Sequence, residues 1–170
     1  AGLATILTGM GSLAYGELAG ERIRLGLLLN DPEEEHDCFS DNTHHSHYYD
    51  ALGIKNVYLG EYRRVSGELV SGASLADLIS QQAPAISAEM MARLEETESA
   101  MQRMVDEGES GNTFDVLIGR DNAQGEEIIT RIVDALMEET RTIEKIINAL
   151  SLVNVSIEGS ESLDNPSAVL

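Results

Sequence analysis

All four histidines of the chain, His36, His44, His45 and His47, fall within a stretch of twenty residues that also holds seven carboxylates, Asp31, Glu33, Glu34, Glu35, Asp37, Asp41 and Asp50. Imidazole and carboxylate are the side chains that zinc, iron and related ions prefer. Two spacings, Glu33-x-x-His36 and His47-x-x-Asp50, put such groups on one face of a helix. A metal reading takes His36, His44, His47 and Asp50 as ligands, with iron or zinc as the ion. The pattern also fits a plain polar surface, because Glu-x-x-His marks a di-iron bundle only where two such motifs and two further Glu converge.

A second constellation breaks the pattern of the first helix. At about 100° per residue, Glu17 and Glu21 fall inside the apolar arc of Leu3, Ile6, Met10, Leu13 and Leu28, so both are expected to point inward, with Arg22 on the opposite, exposed side. Like charges four apart oppose a helix, and a buried carboxylate must be paired, protonated or metal-bound. Its partner is either an arginine, Arg24 or one from elsewhere, or a ligand or metal. Other chemistries lack their motifs: there is no G-x-S-x-G elbow, no P-loop, no dinucleotide fingerprint and no H-E-x-x-H helix. Cys38 is the sole cysteine, so no internal disulfide or Cys-rich zinc site can form. Sequence neighbours such as His36 and Cys38 rarely form a thiol dyad.

The elements that must position these groups read as helical. With 42% hydrophobic residues, 4% aromatics and no Trp, the core has to be filled by Leu, Ile, Val, Ala and Met, which suits helices. A length of 170 residues fits one domain. The balance of 11 Lys and Arg against 30 Asp and Glu repels nucleic-acid phosphates and anionic lipid, so no nucleic-acid partner is expected. An acidic surface attracts cations or simply maintains solubility. No apolar run is long enough to span a membrane. The opening residues lack the basic start of a signal peptide, so further sequence is expected upstream.

Periodicity predicts a long helix over residues 2–29, a capped turn or short helix at Asp31-Pro32, and a helix over 45–64 carrying Ile54, Val57, Tyr58 and Tyr62. A glycine-containing break then precedes a short helix over 74–82, which stops before Pro84. Residues 86–105 carry a seam of Met90, Met91, Leu94, Met101, Met104 and Val105, read as adaptable core filling. A loop with a strand-like piece at 114–118 leads to Asn122, which caps a last helix with Ile129, Ile132, Leu136, Thr140, Ile143, Ile147 and Leu150 in coiled-coil spacing. The expected fold class is all-α, a four-helix-bundle-like domain over 1–155 with a polar, frayed tail over 156–170.

The run TGMGSLAYGELAGERIRLGLLLNDPEEEHDCFSDNTHHSHYYDALGIKNVYLGEY, from Thr8 to Tyr62, closely resembles the imelysin-like family. That resemblance implies a protein of two four-helix bundles about a pseudo-twofold axis, with a functional site between them, of which this chain would be the second bundle. It also implies a periplasmic or outer-membrane-associated location and a link to iron supply. Metalloprotease activity has been ascribed within the family on a G-x-H-x-x-E motif. That motif is absent here and belongs to the upstream half. Residues carried over by the match are Glu17, Glu21 and Arg22 of GELAGER, and His36, Asp37, Ser40, Asp41, His44 and Ser46 of HDCFSDNTHHS. These would line the site.

Three functions stand at this point. The first is a non-enzymatic iron-uptake component whose metal or ligand pocket is completed by the other half of the protein and which works with further iron-uptake components. The second is a metallopeptidase, which requires a metal-bound water and a general base. The third is a structural or interaction bundle whose acids are ion-paired.

Overall fold

The computed structural model describes residues 2–170. The chain opens with one continuous helix in three registers: α1 (Gly2–Ser12), a π-helical segment (Leu13–Arg24) and α2 (Leu25–Leu29). The segment closes wider turns, as in the bond from the Leu25 N–H to the Gly20 carbonyl five residues earlier. Asn30 ends α2 in the left-handed conformation, and its side-chain amide donates to the carbonyls of Leu27 and Ile118. A 3₁₀ turn, Pro32–Glu34, follows, with the Asp31 carboxylate accepting from the Glu33 N–H as the sequence led one to expect.

Helix α3 (Thr43–Leu59) stops at Gly60, whose φ of +63° and closeness to the Ala73 carbonyl exclude a side chain. The predicted helix over 45–64 is therefore shortened. Tyr62 lies instead in an exposed hairpin, β1 (Glu61–Arg63) paired antiparallel with β2 (Leu69–Ser71) in the register Tyr62↔Val70, and Val57 faces solvent. Ser74 caps α4 (Leu75–Gln82), and Pro84 opens α5 (Pro84–Glu109), where its missing N–H is harmless. Residues Phe114–Leu117 form a short helix, α6, and not the expected strand-like piece. Asn122 accepts from the Gly125 N–H and starts α7 (Ala123–Ala149). A short helix, α8, spans Glu161–Asp164, and a 3₁₀ turn, Pro166–Ala168, follows it.

Four long helical elements close a ring: the π segment packs on α7 and α3, and α5 packs on the same two. The core inside it contains Leu7, Leu18, Ile23, Ile54, Tyr58, Met90, Leu94, Met101, Met104, Ile129, Ile132, Leu136 and Ile143. The predicted seams of α5 and α7 are buried over most of their length, with Met91, Ile147 and Leu150 only partly covered and Ile146 taking the inward place near the end of α7. The chain is all-α in class, and among the described residues the small hairpin is the only sheet.

Two expectations fail in the first helix, for one reason. Glu17 and Glu21 are exposed, not inward-facing. A wider turn advances less than 100° per residue, so the buried line runs Ala14, Leu18 and Ala19, Ile23 and Leu27, at steps of four and five. Leu3 and Ile6, on the face extrapolated at the α-helical rate, are also substantially exposed.

The tail is docked, not frayed. Ile157, Glu158 and Ser160 lie in a groove where Gly11, Gly16 and Gly20 carry no side chain; a Cβ on Gly16 would stand 2.8 Å from the Glu158 carbonyl oxygen. The Ser12 hydroxyl accepts from the Glu158 N–H (3.0 Å), Ser162 Oγ donates to the Gly20 carbonyl (2.9 Å), and Tyr15 Oη donates to Asp164 (2.7 Å). Ser160 and Ser162 are buried. Gly16→Val places its side chain against backbone that cannot swing away, so the amides of residues 157–164 should lose protection in hydrogen exchange while those of α5 and α7 keep theirs. Unchanged protection at 157–164 would mean that the groove does not hold the tail.

Between α5 and α7 the core encloses Glu139, 1% exposed, whose carboxylate accepts from Thr97 Oγ1 at 2.6 Å. Burial pushes its pKa up from 4.5 to about 7, against the smaller opposing effect of the Thr97 hydrogen bond. A pKa raised on folding means that the folded chain holds the proton more tightly. Its stabilising contribution is therefore complete below about pH 4.5 and fades as the pH rises through about 7, by about 1.4 kcal/mol per pH unit. Glu139→Gln removes the ionisation and keeps an acceptor for Thr97. In urea melts the variant should gain on the wild type between pH 5 and pH 8 by about 2–3 kcal/mol, whereas parallel pH profiles would contradict the burial of this group.

Candidate functional site

Arg22 stands where the π segment faces α3 and the loop that precedes it. The wide turn brings Glu17, five residues back, to 3.5 Å from Arg22 Nε. From the other side Asp50 of α3 approaches to 3.7 Å and His36 Nε2 to 3.0 Å of Nη1. Arginine only donates, so the His36 nitrogen that meets it is an unprotonated acceptor. Three of these groups, Arg22, His36 and Asp50, border an open cavity of about 640 Å³ whose lining also includes Asp37, Asn42, His45, Ser46 and Tyr49.

The loop carrying His36 and Asp37 is held by its own polar groups. Thr43, fully buried at the start of α3, accepts from the Asp37 N–H (3.0 Å) and donates to the buried Glu35 carboxylate (3.0 Å). Ser46 donates to the Asp37 carboxylate. Ser40 caps the turn back to the Asp37 carbonyl, and Asp41 takes a positive φ of 50° to lead into the helix. One buried threonine thus ties the start of the loop to the helix that brings Asp50 to the cavity.

Charge and burial work against each other here. Partial burial raises the Asp50 pKa, and the Arg22 cation opposes that rise. Burial also raises the pKa of Glu35, with the Thr43 hydrogen bond opposing it. Behind the cavity wall His47 is fully buried, its ring edge-on to Phe114 at 5.2 Å between centroids. Burial, followed by the Arg22 cation, pushes its pKa down to about 3, so the ring stays neutral. Neither of its ring nitrogens has a hydrogen-bond partner among the described residues.

Of the residues that sequence reading put in the site, Arg22, His36, Asp37, Ser46 and Asp50 line this cavity and Glu17 braces Arg22. Arg22, placed on the exposed side by periodicity and in the site by the family resemblance, meets Glu17, His36 and Asp50 here. The others lie apart. Glu21 accepts from Ser160 Oγ of the docked tail (2.5 Å), Ser40 serves the loop turn, and Asp41 faces Glu35 and Asp115. His44 turns away to Gly108 and Glu109, and His47 is sealed below the surface. The four expected metal ligands, His36, His44, His47 and Asp50, do not converge on one point. Among the described residues, metal-donor atoms come within 4.8 Å of one another in two other sets: His44, His45 and Glu109, and Glu35, Asp41 and Asp115. Sequence reading missed Asn42, Tyr49 and the cavity role of His45. His45 and Tyr49, four apart on α3, stack at 6.2 Å, a spacing that could have signalled a shared face.

Fold and cavity together define an all-α bundle domain that carries an open polar site of mixed charge on one flank. A family model described as Imelysin (Peptidase_M75) matches residues 1–143, a stretch that contains every residue lining that cavity. The chain belongs to the imelysin family. No curated protein matches it.

His47→Leu replaces two orphaned ring nitrogens by a side chain of similar size. Each such nitrogen costs about 1–3 kcal/mol in the folded state, so the variant should melt several degrees higher. A lower melting temperature would show that the ring has a partner it needs.

Proposed function

We propose that this chain serves iron uptake at the cell envelope, in the periplasm or at the outer membrane. In this reading the Arg22 cavity is one wall of a site for a metal ion or small polar ligand. A second helical bundle of the same protein, outside this chain, supplies the other wall. Membership of the imelysin family and the cavity's position within the matched stretch support this reading. No helix among the described residues is long and apolar enough to cross a membrane.

The observation that carries the proposal is the placement of Arg22 between donors. His36 and Asp50 are the groups that iron or zinc would choose. A guanidinium 3.0 Å from the His36 ring opposes a bare cation at that spot. A ligand that brings its own negative charge suits both: its carboxylate pairs with Arg22 in a two-pronged contact, and its metal faces the imidazole and carboxylate. An iron–carboxylate chelate has this chemistry.

Calorimetric titration of the full-length protein with ferric citrate tests the reading. Arg22→Gln should weaken binding at least tenfold, about 1.4 kcal/mol, and Asp50→Asn should weaken it in the same direction. Equal affinity in the wild type and both variants would overturn the assignment of this cavity.

A further inference from the structure

We propose that His44, His45 and Glu109 form a separate site for a transition-metal dication of the zinc type, at the junction of the first turn of α3 with the last turn of α5. Their donor atoms, one from each side chain, lie within 4.8 Å of one another. His45 Nε2 and Glu109 Oε1 already meet at 2.8 Å, and the two imidazoles lie 4.6 Å apart between centroids. Zinc holds nitrogen and carboxylate oxygen at about 2.0–2.2 Å, with three protein ligands and an open fourth position where it binds exchangeable ligands. Such an ion sets its ligand atoms about 3–4 Å apart, a spread that small side-chain rotations reach from this starting geometry.

Three features make this more than a meeting of surface groups. His44 is 6% exposed, and its Nδ1 is buried with no hydrogen-bond partner among the described residues, so the ring is held in place without the partner that such burial normally demands. Gly108 leaves the space in which the ring lies: a Cβ there would fall 2.6–2.8 Å from His44 Cγ, Cδ2 and Nδ1. The end of α5 carries Glu109 and no basic residue in its last turn, although the carbonyl end of a helix disfavours an anion and favours a cation. The other donor set, Glu35, Asp41 and Asp115, lacks these features. It holds carboxylates only, and Glu35 and Asp115 are already bonded by Thr43 and Thr113.

This site adjoins the Arg22 cavity, whose lining includes His45, but does not rest on its reading, since among the described residues the hydrogen bonds and ion pairs of Arg22 go to Glu17, His36 and Asp50 and not to these three donors. The test uses the full-length protein and zinc alone, with affinity measured by competition against a chromophoric chelator and by the zinc-induced rise in melting temperature. The wild type should bind one zinc tightly at this site and gain stability. Glu109→Gln changes an exposed side chain and should fold normally, yet it should weaken binding at least tenfold and lose the thermal gain. Gly108→Ala, which pushes on the His44 ring, should weaken binding as well. Asp106→Asn, one turn from the site and equally acidic, should leave zinc affinity unchanged and so separates a built site from diffuse attraction to an acidic surface. Zinc affinity that is the same in Glu109→Gln as in the wild type, or that falls equally in Asp106→Asn, would overturn the proposal.

Discussion

The wide turn of the first helix is the constraint on which the remaining architecture rests. By closing hydrogen bonds over five residues between Leu13 and Arg24, the backbone buries Ala14, Leu18, Ala19 and Ile23 against α3 and α7 and turns the acids outward. The same geometry aligns residues five apart, which is why Glu17 can brace Arg22, and it points the guanidinium at α3 instead of at solvent. On the opposite flank it lays Gly11, Gly16 and Gly20 along one groove. Core, cavity and groove are three consequences of one register.

The cavity combines a strongly acidic chain with a cation placed at its most polar point. Among the carboxylates of a protein of net charge −19, Arg22 is surrounded by Glu17, Asp37 and Asp50, and the neutral His47 lies behind it. A charge held this way is preorganised: its partners fix its direction, and a ligand that replaces them meets an arginine already aimed. The buried Thr43 has a comparable role for the loop. It satisfies Glu35 and the Asp37 backbone at once, so His36 and Asp37 enter the cavity wall on a fixed frame.

Much of the fold was legible in the sequence because α5 and α7 keep an ordinary α-helical period over their whole length. Met90, Leu94, Met101, Ile129, Ile132 and Ile143 could be read as core from spacing alone, and Asn122 as a cap. The site was legible by residue type and by family resemblance, which brought Arg22, His36, Asp37 and Ser46 into consideration, but not by geometry. Extrapolating 100° per residue through a π-helical stretch reverses which side is inside, and nothing in the local pattern of Glu17 to Arg22 announces the change. The hairpin escaped notice because Tyr62 continues the helical spacing of Ile54 and Tyr58 past Gly60, where a left-handed residue ends the helix. The docking of the tail was hidden because it depends on residues that are polar yet buried, Ser160 and Ser162, whose partners lie some 140 positions earlier in the chain.

Those far-apart partners bear on what a minimal version of the bundle would be. The stretch that carries the family pattern ends at residue 143, inside α7, with the buried Ile146 still to come. A fragment trimmed to that boundary would leave the floor of the glycine groove wet, expose the backbone of the first helix where it is least shielded by side chains, and strip Glu21 of its hydroxyl donor. Shared sequence pattern and cooperative unit therefore have different lengths in this protein. A groove floored by glycine is filled by backbone, so what the tail supplies there is its shape together with the hydroxyls of Ser160 and Ser162.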